Sequence, residues 1–236
     1  MIKKAMVLAA GFGKRILPLT QKKPKPLLNI GKRTLLSNTL EFLNLLGIKK
    51  VVINVHYLGE QIINYINKNK FEFDISIVNE KDKILDTGGG VLNAIHHFSG
   101  EPFLIINPDT IWHSSYIKEV QVMENDFFIN KKECTLLIVN KKKSFDQSFK
   151  GDFNLKNDLI SREKNRDNLE YIYTGLQIIN PKAFFNLSSK VFSINEIWDN
   201  LIKTKKLYGL ASNNDFLHVS TLEVYKNLLK QKLYVK

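Results

Sequence analysis

Near the start of the chain, a turn rich in glycine stands beside a group of cationic side chains. Gly11 and Gly13 follow a short apolar run. Lys14 and Arg15 flank the turn, and Lys25 lies between two prolines that hold its backbone extended. Glycine lets backbone N–H groups approach an anion closely, because it has no Cβ. Three cations converging on such a turn predict a site for a polyphosphate.

Two other phosphate-binding glycine motifs fail at specific positions. A dinucleotide-binding motif needs a third Gly or Ala where this chain has Ile16, and an acid at the tip of the second strand, where it has His56. A P-loop needs Gly-Lys-Ser or Gly-Lys-Thr, which is absent here. Gly11 and Gly13 could also form a plain turn between a strand and a helix. That alternative does not explain the Lys25 segment, which favours the phosphate site.

Alternating strands and helices are predicted to position the glycine turn. Strands are predicted at 4–9, 51–55, 75–78, 102–106 and 134–139, and helices at 34–47, 59–68, around 94, near 193–203 and near 221–231. A loop from Asn79 to Gly90 is predicted to precede the third helix. The alternation favours an α/β fold with a Rossmann-like, mostly parallel sheet and helices on both faces. Since no repeat or linker is visible, residues 1–236 are expected to form a single domain.

Two separated segments resemble the signature of the sugar-phosphate nucleotidylyltransferases. That signature is Leu-Ala-Ala-Gly-x-Gly-x-Arg-x-x-Pro-Leu-Thr followed by Pro-Lys-Pro-Leu, and residues 8–20 and 24–27 match it. The resemblance continues through 86–90 and 107–109 and weakens after residue 145. It implies the nucleotide-diphospho-sugar transferase fold with a small sugar-binding lobe. It also implies transfer of a nucleoside monophosphate from an NTP to a sugar 1-phosphate, with release of pyrophosphate.

Within the family, the chain is most similar to the N-acetylmuramate 1-phosphate uridylyltransferases of peptidoglycan recycling in the cell wall. These are short and typically carry Glu-Thr-Gly-Gly-Gly where this chain has Asp-Thr-Gly-Gly-Gly at 86–90. UTP and N-acetylmuramate 1-phosphate are therefore the implied substrates. Mannose 1-phosphate guanylyltransferases and phosphocholine cytidylyltransferases share the first motif, so a different NTP and a different acceptor stay open.

The resemblance also implies a role for each matched residue. Arg15 and Lys25 are the implied catalytic residues, and Asp109 is the implied ligand of Mg²⁺. The implied nucleotide-binding residues are Ala9, Ala10, Gly11, Gly13, Thr87, Gly88 and Asn107. The implied sugar-phosphate-binding residues are Gly151, Asp152 and Gly175. The single domain would then have a nucleotide-binding part at about 1–140 and a sugar-binding part with closing helices at about 141–236.

Two positions depart from the family pattern. Pro108 replaces the usual glycine of Asn-Gly-Asp, and His218 stands where relatives commonly carry an aspartate that helps to bind metal. Imidazole is a poor ligand for Mg²⁺, so a metal role for His218 stays open. The departures motivate a hypothesis of another class, a nucleotide-sugar-binding regulatory protein with weak or no catalysis. The intact Arg15, Lys25 and Asp109 favour an enzyme.

The formal net charge of +12 arises mainly from lysine. The chain has 31 Lys, 4 Arg and 24 Asn. Because nucleic-acid readers rely on Arg for bidentate contacts, the charge favours a solvated surface over a nucleic-acid partner. The lone Cys134, the absence of a signal-peptide pattern and the absence of any apolar run near ~20 residues predict a cytoplasmic protein without a membrane partner. A monomer or weak homodimer is expected.

Overall fold

The computed structural model describes residues 1–81, 83–163, 165–185 and 190–232. Its strands are β1 (Lys4–Leu8), β2 (Asn29–Ile30), β3 (Arg33–Thr34), β4 (Lys50–Val55), β5 (Asp74–Asn79), β6 (Phe103–Ile106), β7 (Cys134–Asn140), β8 (Asn154–Lys156), β9 (Leu159–Ser161), β10 (Tyr171–Ile179) and β11 (Leu207–Ser212). Its α-helices are α1 (Leu35–Leu45), α2 (Gly59–Lys68), α3 (Asp86–Ala94), α4 (Tyr116–Ile129), α5 (Ile194–Lys203) and α6 (Leu222–Gln231).

One large sheet runs through the molecule in the order β5-β4-β1-β6-β10-β7-β11-β9-β8. Strands β5, β4, β1 and β6 are parallel neighbours, and β11 is parallel to β7. Strand β10 runs antiparallel between β6 and β7 and joins these two groups. The prediction of a mostly parallel sheet is confirmed. Strands from both sides of residue 140 share this sheet. The division into a nucleotide-binding part at about 1–140 and a sugar-binding part at about 141–236 therefore stays a prediction about function.

Helices cover both faces of this sheet, as predicted. On one face, apolar residues of α1, α2 and α4 pack into a core with β1 and β4, and Leu40, Ile62 and Met123 are buried there. On the other face, α3 and α5 contribute Val91 and Trp198 to a second core. Burial of both faces explains why the central strands β1, β4, β6 and β7 are largely apolar and do not alternate with polar residues.

The termini of several elements follow local signals in the sequence. Helix α1 begins after Thr34, whose side chain accepts a hydrogen bond from the backbone N–H of Ser37, and the Ser37 side chain returns a bond to Thr34. The predicted helix at 59–68 coincides with α2. Helix α4, however, was not predicted, although its buried residues Tyr116, Val120, Met123 and Phe127 have helical spacing.

The prediction of a loop up to Gly90 is wrong, because α3 begins at Asp86 and includes all three glycines. Glycine costs ~1 kcal/mol in a helix relative to alanine. Close packing requires it here. A Cβ on Gly88 would lie 2.3 Å from the Phe192 ring, and one on Gly89 would lie 2.3 Å from the carbonyl oxygen of Lys190. The glycines therefore let α3 approach the segment that precedes α5.

Candidate active site

Most of the predicted nucleotide-binding and catalytic residues surround one cavity of about 440 Å³. It lies beyond the carboxyl ends of β1 and β6, where parallel sheets gather their ligands. Its lining includes Ala9, Ala10, Gly11, Gly13, Arg15, Lys25, Thr87, Asn107 and Asp109. Gly88 is not part of this lining, and its N–H donates to the carbonyl oxygen of Phe192 at 3.0 Å. The predicted nucleotide-binding role of Gly88 stays a prediction.

The glycine turn and the Lys25 segment are packed directly against each other. Gly13 has a φ of +64°, and a Cβ there would lie 2.9 Å from Thr20 Cγ2 and 3.2 Å from Lys25 Cβ. The Thr20 hydroxyl donates to the Gly13 carbonyl oxygen at 2.9 Å. A side chain at position 13 would therefore push away the segment that carries Lys25. Arg15 is exposed on the same turn and faces the cavity.

Asp109 is the centre of a cluster of charged side chains at the cavity wall. Its Oδ2 atom lies 2.5 Å from Lys25 Nζ and 3.1 Å from His218 Nε2. Burial works against ionisation of Asp109, but attraction to the Lys25 ammonium and hydrogen bonds from Lys25 and His218 outweigh it and hold the pKa of this carboxyl far below its usual range. The carboxylate is therefore negatively charged at neutral pH. The His218 ring is held in place by stacking on Phe216 at 5.6 Å.

The surroundings of Asp109 leave one carboxylate oxygen that could bind a hard cation such as Mg²⁺. Asp109 Oδ1 is buried and has no hydrogen-bond partner in the part of the chain that the structure describes. Within that part, no group of three or more His, Cys, Asp or Glu side chains could hold a metal ion. Mg²⁺ bound there would take one oxygen from Asp109 and the others from substrate phosphates and water. His218 contacts the carboxylate itself, so the open metal role for His218 receives no support from this geometry.

A second cavity of about 310 Å³ continues from the first. The two share Leu8, Asp86, Thr87 and Asn107, and the second also includes Asp152, Gly175 and His218. The Asn107 N–H donates to the Gly175 carbonyl oxygen at 2.8 Å, and a Cβ at Gly175 would lie 2.9 Å from Asn107 Cβ. Gly175 thus allows β10 to approach the end of β6, where the cavities meet.

The two other predicted sugar-side residues have different surroundings. Asp152 lines the second cavity, and its Oδ2 accepts the N–H of Tyr173 at 3.0 Å. Gly151 is outside both linings and has a φ of +92°. A Cβ at Gly151 would lie 2.4 Å from the Leu169 carbonyl oxygen. This glycine therefore permits a close backbone contact that supports the wall of the cavity.

A buried polar network behind the first cavity was not predicted. Asn54 Oδ1 accepts the Ala9 N–H at 3.0 Å, and Asn54 Nδ2 donates to Glu80 Oε1 at 2.7 Å. Glu80 Oε2 accepts the Leu85 N–H at 2.9 Å. The network ties the glycine turn to the segment that leads into α3. Its sequence signal is a polar residue within the buried apolar run 51–55.

Comparison with known proteins identifies the family. Residues 4–149 match the family described as "Nucleotidyl transferase". The chain belongs to the nucleotidyl transferase family. It is 30% identical over 221 residues to N-acetylmuramate alpha-1-phosphate uridylyltransferase of Neisseria meningitidis serogroup B, with 93% of this chain and 94% of the relative covered. It is 27% identical over 219 residues to the protein of the same name from Caulobacter vibrioides, with 91% and 90% covered.

The fold agrees with this family. A putative glucose-1-phosphate thymidylyltransferase from Bacillus anthracis, whose crystal structure contains sucrose, superposes with a TM-score of 0.81 at 18% identity. The match covers 99% of this chain and 96% of that chain. The predicted class of enzyme, a sugar-phosphate nucleotidyltransferase, is confirmed. Among the residues that the structure describes, no helix is long and apolar enough to cross a membrane.

Proposed function

We propose that this nucleotidyltransferase transfers UMP from UTP to N-acetylmuramate 1-phosphate and releases pyrophosphate. The observation that carries the proposal is the pair of contiguous cavities that meet at Thr87 and Asn107. One has the glycine turn and cations suited to a triphosphate, and the other has the polar lining suited to a sugar. The two uridylyltransferase relatives, which align over about nine tenths of both chains, support this pair of substrates. The product is a nucleotide sugar for peptidoglycan recycling.

The proposed reaction is a single in-line displacement. A phosphate oxygen of the sugar 1-phosphate attacks the α-phosphorus of UTP, and the bond to the pyrophosphate oxygen breaks. No covalent intermediate with the enzyme is needed, so the side chains act by alignment and charge neutralisation. Arg15 on the glycine turn neutralises the triphosphate. Lys25, which Asp109 holds in place, directs its remaining ammonium donors towards the reacting phosphates.

Asp109 is the proposed protein ligand of Mg²⁺, through its unpartnered Oδ1. Mg²⁺ held there would supply positive charge to the phosphates and would help to orient them. Thr87 and Asn107 lie at the junction of the two cavities and are proposed to position the nucleotide beside the acceptor. The Ala9 N–H already bonds to Asn54, so Ala9 shapes the nucleotide site through the path of its backbone.

The test combines each of four NTPs with a panel of sugar 1-phosphates and Mg²⁺ and measures pyrophosphate. UTP with N-acetylmuramate 1-phosphate should give the highest kcat/KM. The Lys25→Ala variant, purified in the same way, controls for contaminating enzymes. Turnover of GTP and mannose 1-phosphate, with none of UTP, would replace the proposed substrates and leave the reaction class unchanged.

The contact between His218 and Asp109 favours one alternative, a regulatory protein that binds a nucleotide sugar. An imidazole replaces an acidic metal ligand and occupies one carboxylate oxygen. A regulatory protein would bind UDP-sugars in calorimetry and release no pyrophosphate with any NTP, whether Mg²⁺ or Mn²⁺ is present. Pyrophosphate release that the Lys25→Ala variant lacks would exclude this alternative.

A further inference from the structure

The second cavity contains an arginine that neither the signature motifs nor the proposed chemistry accounts for. Arg162 follows β9 and is the one Lys or Arg side chain among the described residues that line this cavity. We propose that the Arg162 guanidinium binds a carboxylate carried by the sugar, and so selects acidic sugar 1-phosphates over their neutral counterparts. The inference rests on the proposed function and extends it to a residue that determines specificity.

The surroundings of Arg162 fix its guanidinium before a substrate binds. Its Nη1 lies 3.0 Å from Asp199 Oδ1, and its Nη2 donates to Asn195 Oδ1 at 2.8 Å. Both partners belong to α5. The guanidinium carbon lies 4.6 Å from the centre of the buried Phe153 ring. An arginine held by these contacts loses little side-chain entropy on binding, and its planar fork matches the two oxygens of a carboxylate.

The position of Arg162 favours a carboxylate on the sugar over the reacting phosphates. Arg15 and Lys25 line the first cavity, where the triphosphate is proposed to bind, and Arg162 does not. Arg162 lines only the cavity proposed for the sugar. Asp199 is half exposed, so solvent screens this ion pair and leaves the cation able to attract a second anion.

Neighbouring groups support a polar sugar beside Arg162. Tyr173 Oη is buried and lacks a hydrogen-bond partner in the described ranges. Tyr173 lines the same cavity, and its ring packs 4.8 Å from that of Trp198. A buried hydroxyl without a partner is costly unless a ligand satisfies it. A sugar hydroxyl bonded to Tyr173 would lie in the cavity that Arg162 also lines, where the guanidinium can select among ring substituents. N-acetylmuramate carries such a substituent, a lactyl ether with a carboxylate that N-acetylglucosamine lacks.

The experiment compares matched acidic and neutral acceptors. Initial rates are measured with the 1-phosphates of N-acetylmuramate and N-acetylglucosamine, and with those of glucuronate and glucose, for the unmodified protein, Arg162→Gln and Arg162→Lys. Hydrogen bonds to charged groups predict a loss of about 10- to 100-fold in kcat/KM for the acidic acceptors in Arg162→Gln. The neutral acceptors should change by less than about threefold. For the acidic acceptors, the kcat/KM of Arg162→Lys should lie between those of the unmodified protein and Arg162→Gln, because lysine keeps the charge and loses the planar fork.

Asp199→Asn is the matched control. It removes the ion pair between Arg162 and α5, and its amide oxygen can still accept a hydrogen bond from Arg162. This variant should retain the preference for acidic acceptors. An equal loss for acidic and neutral acceptors in Arg162→Gln would show that the arginine serves packing and would overturn the inference.

The two proposals fail in different ways. Absence of turnover with N-acetylmuramate 1-phosphate would contradict the proposed function, and the glucuronate and glucose pair would still test Arg162. A preference of the unmodified protein for the neutral member of both pairs would overturn the role of Arg162 and leave nucleotidyl transfer standing.

Discussion

At the scale of single residues, Lys25 and Asp109 form an ion pair. It joins the implied catalytic lysine to the implied Mg²⁺ ligand, which lie in separate motifs of the sequence. Lys25 neutralises the acid, and the acid fixes the position of the ammonium group 2.5 Å away. The side chains are 13% and 19% exposed, so the pair is screened less than one on the open surface. Removal of either partner leaves the other partly buried charge with fewer compensating contacts.

Lys25→Ala and Arg15→Ala should each lower kcat/KM at least ~10²-fold, the scale seen when one stabiliser of transition-state charge is lost. Lys68→Ala, which removes an exposed lysine at the end of α2, is the control and should leave the rate unchanged. Pyrophosphate release under saturating UTP measures the effect. Near-normal turnover in either variant would remove that residue from the proposed mechanism.

Asp109→Asn should lower the rate by about 10³-fold or more, because the amide keeps the shape and loses the charge that binds Mg²⁺ and Lys25. His218→Asp makes the opposite change. It places a second carboxylate beside Asp109, so we expect a lower melting temperature without Mg²⁺ and a roughly tenfold lower Mg²⁺ concentration for half-maximal rate.

A Mg²⁺ titration of the rate, together with melting curves with and without Mg²⁺, measures both variants. A raised KM for the sugar phosphate in His218→Asp, at an unchanged Mg²⁺ requirement, would assign His218 to the acceptor instead. If neither quantity changed, His218 would have no part in the site.

At the scale of elements, the network of Asn54 and Glu80 determines how the glycine turn sits relative to α3. Glu80 is 3% exposed and its carboxylate accepts bonds from a side-chain amide and a backbone N–H. A Cβ at Gly90 would lie 2.7 Å from Asn54 Nδ2, so the third glycine of α3 makes room for the network. The backbones on either side of the nucleotide cavity are therefore joined through the side chains of Asn54 and Glu80.

Glu80→Leu should reduce the free energy of unfolding by about 2–4 kcal/mol, because it leaves the Leu85 N–H and the Asn54 amide unsatisfied. It should also raise the KM for UTP more than it lowers kcat, since the turn loses its support. Glu80→Gln keeps one acceptor oxygen, so its free energy of unfolding and its KM for UTP should lie between those of the unmodified protein and Glu80→Leu. Urea unfolding and steady-state kinetics measure these changes. An unchanged KM in Glu80→Leu would show that the network supports stability alone.

At the scale of the whole molecule, both cavities are assembled from segments that are distant along the chain. The first combines residues near 8–16, 25–26, 54, 84–87 and 107–109, and the second adds residues from 149 to 218. A ligand that bridges such segments binds the folded state and not the unfolded chain. The stability of the fold and the occupancy of the site are therefore linked.

UTP with Mg²⁺ should raise the melting temperature in the absence of an acceptor, by the equivalent of about 2.7 kcal/mol at one hundred times its dissociation constant. GTP at the same concentration should give a smaller shift if the site is selective for uracil. Lys25→Ala should show a reduced shift with UTP. Equal melting-temperature shifts with all four NTPs would mean that the protein does not discriminate between bases when the NTP binds.

The sequence by itself determined the local features of this protein. The apolar runs determined β1, β4, β6 and β7, because strands buried on both faces need largely apolar residues. The Thr34 cap set the start of α1, and the glycine turn with its cations identified the phosphate chemistry and the family. Each of these signals acts between residues that are close along the chain, so a single segment contains it.

The tertiary structure alone decided which distant residues meet. Lys25 and Asp109 are separated by 84 positions, and Arg162 meets Asp199 of α5, which is 37 positions further along the chain. No local pattern encodes these contacts, because they depend on the order in which strands enter the sheet. The insertion of β10 between β6 and β7 places Gly175 against Asn107 and brings the two cavities together. Packing of both faces of the sheet, and not the propensity of any one segment, determined that arrangement.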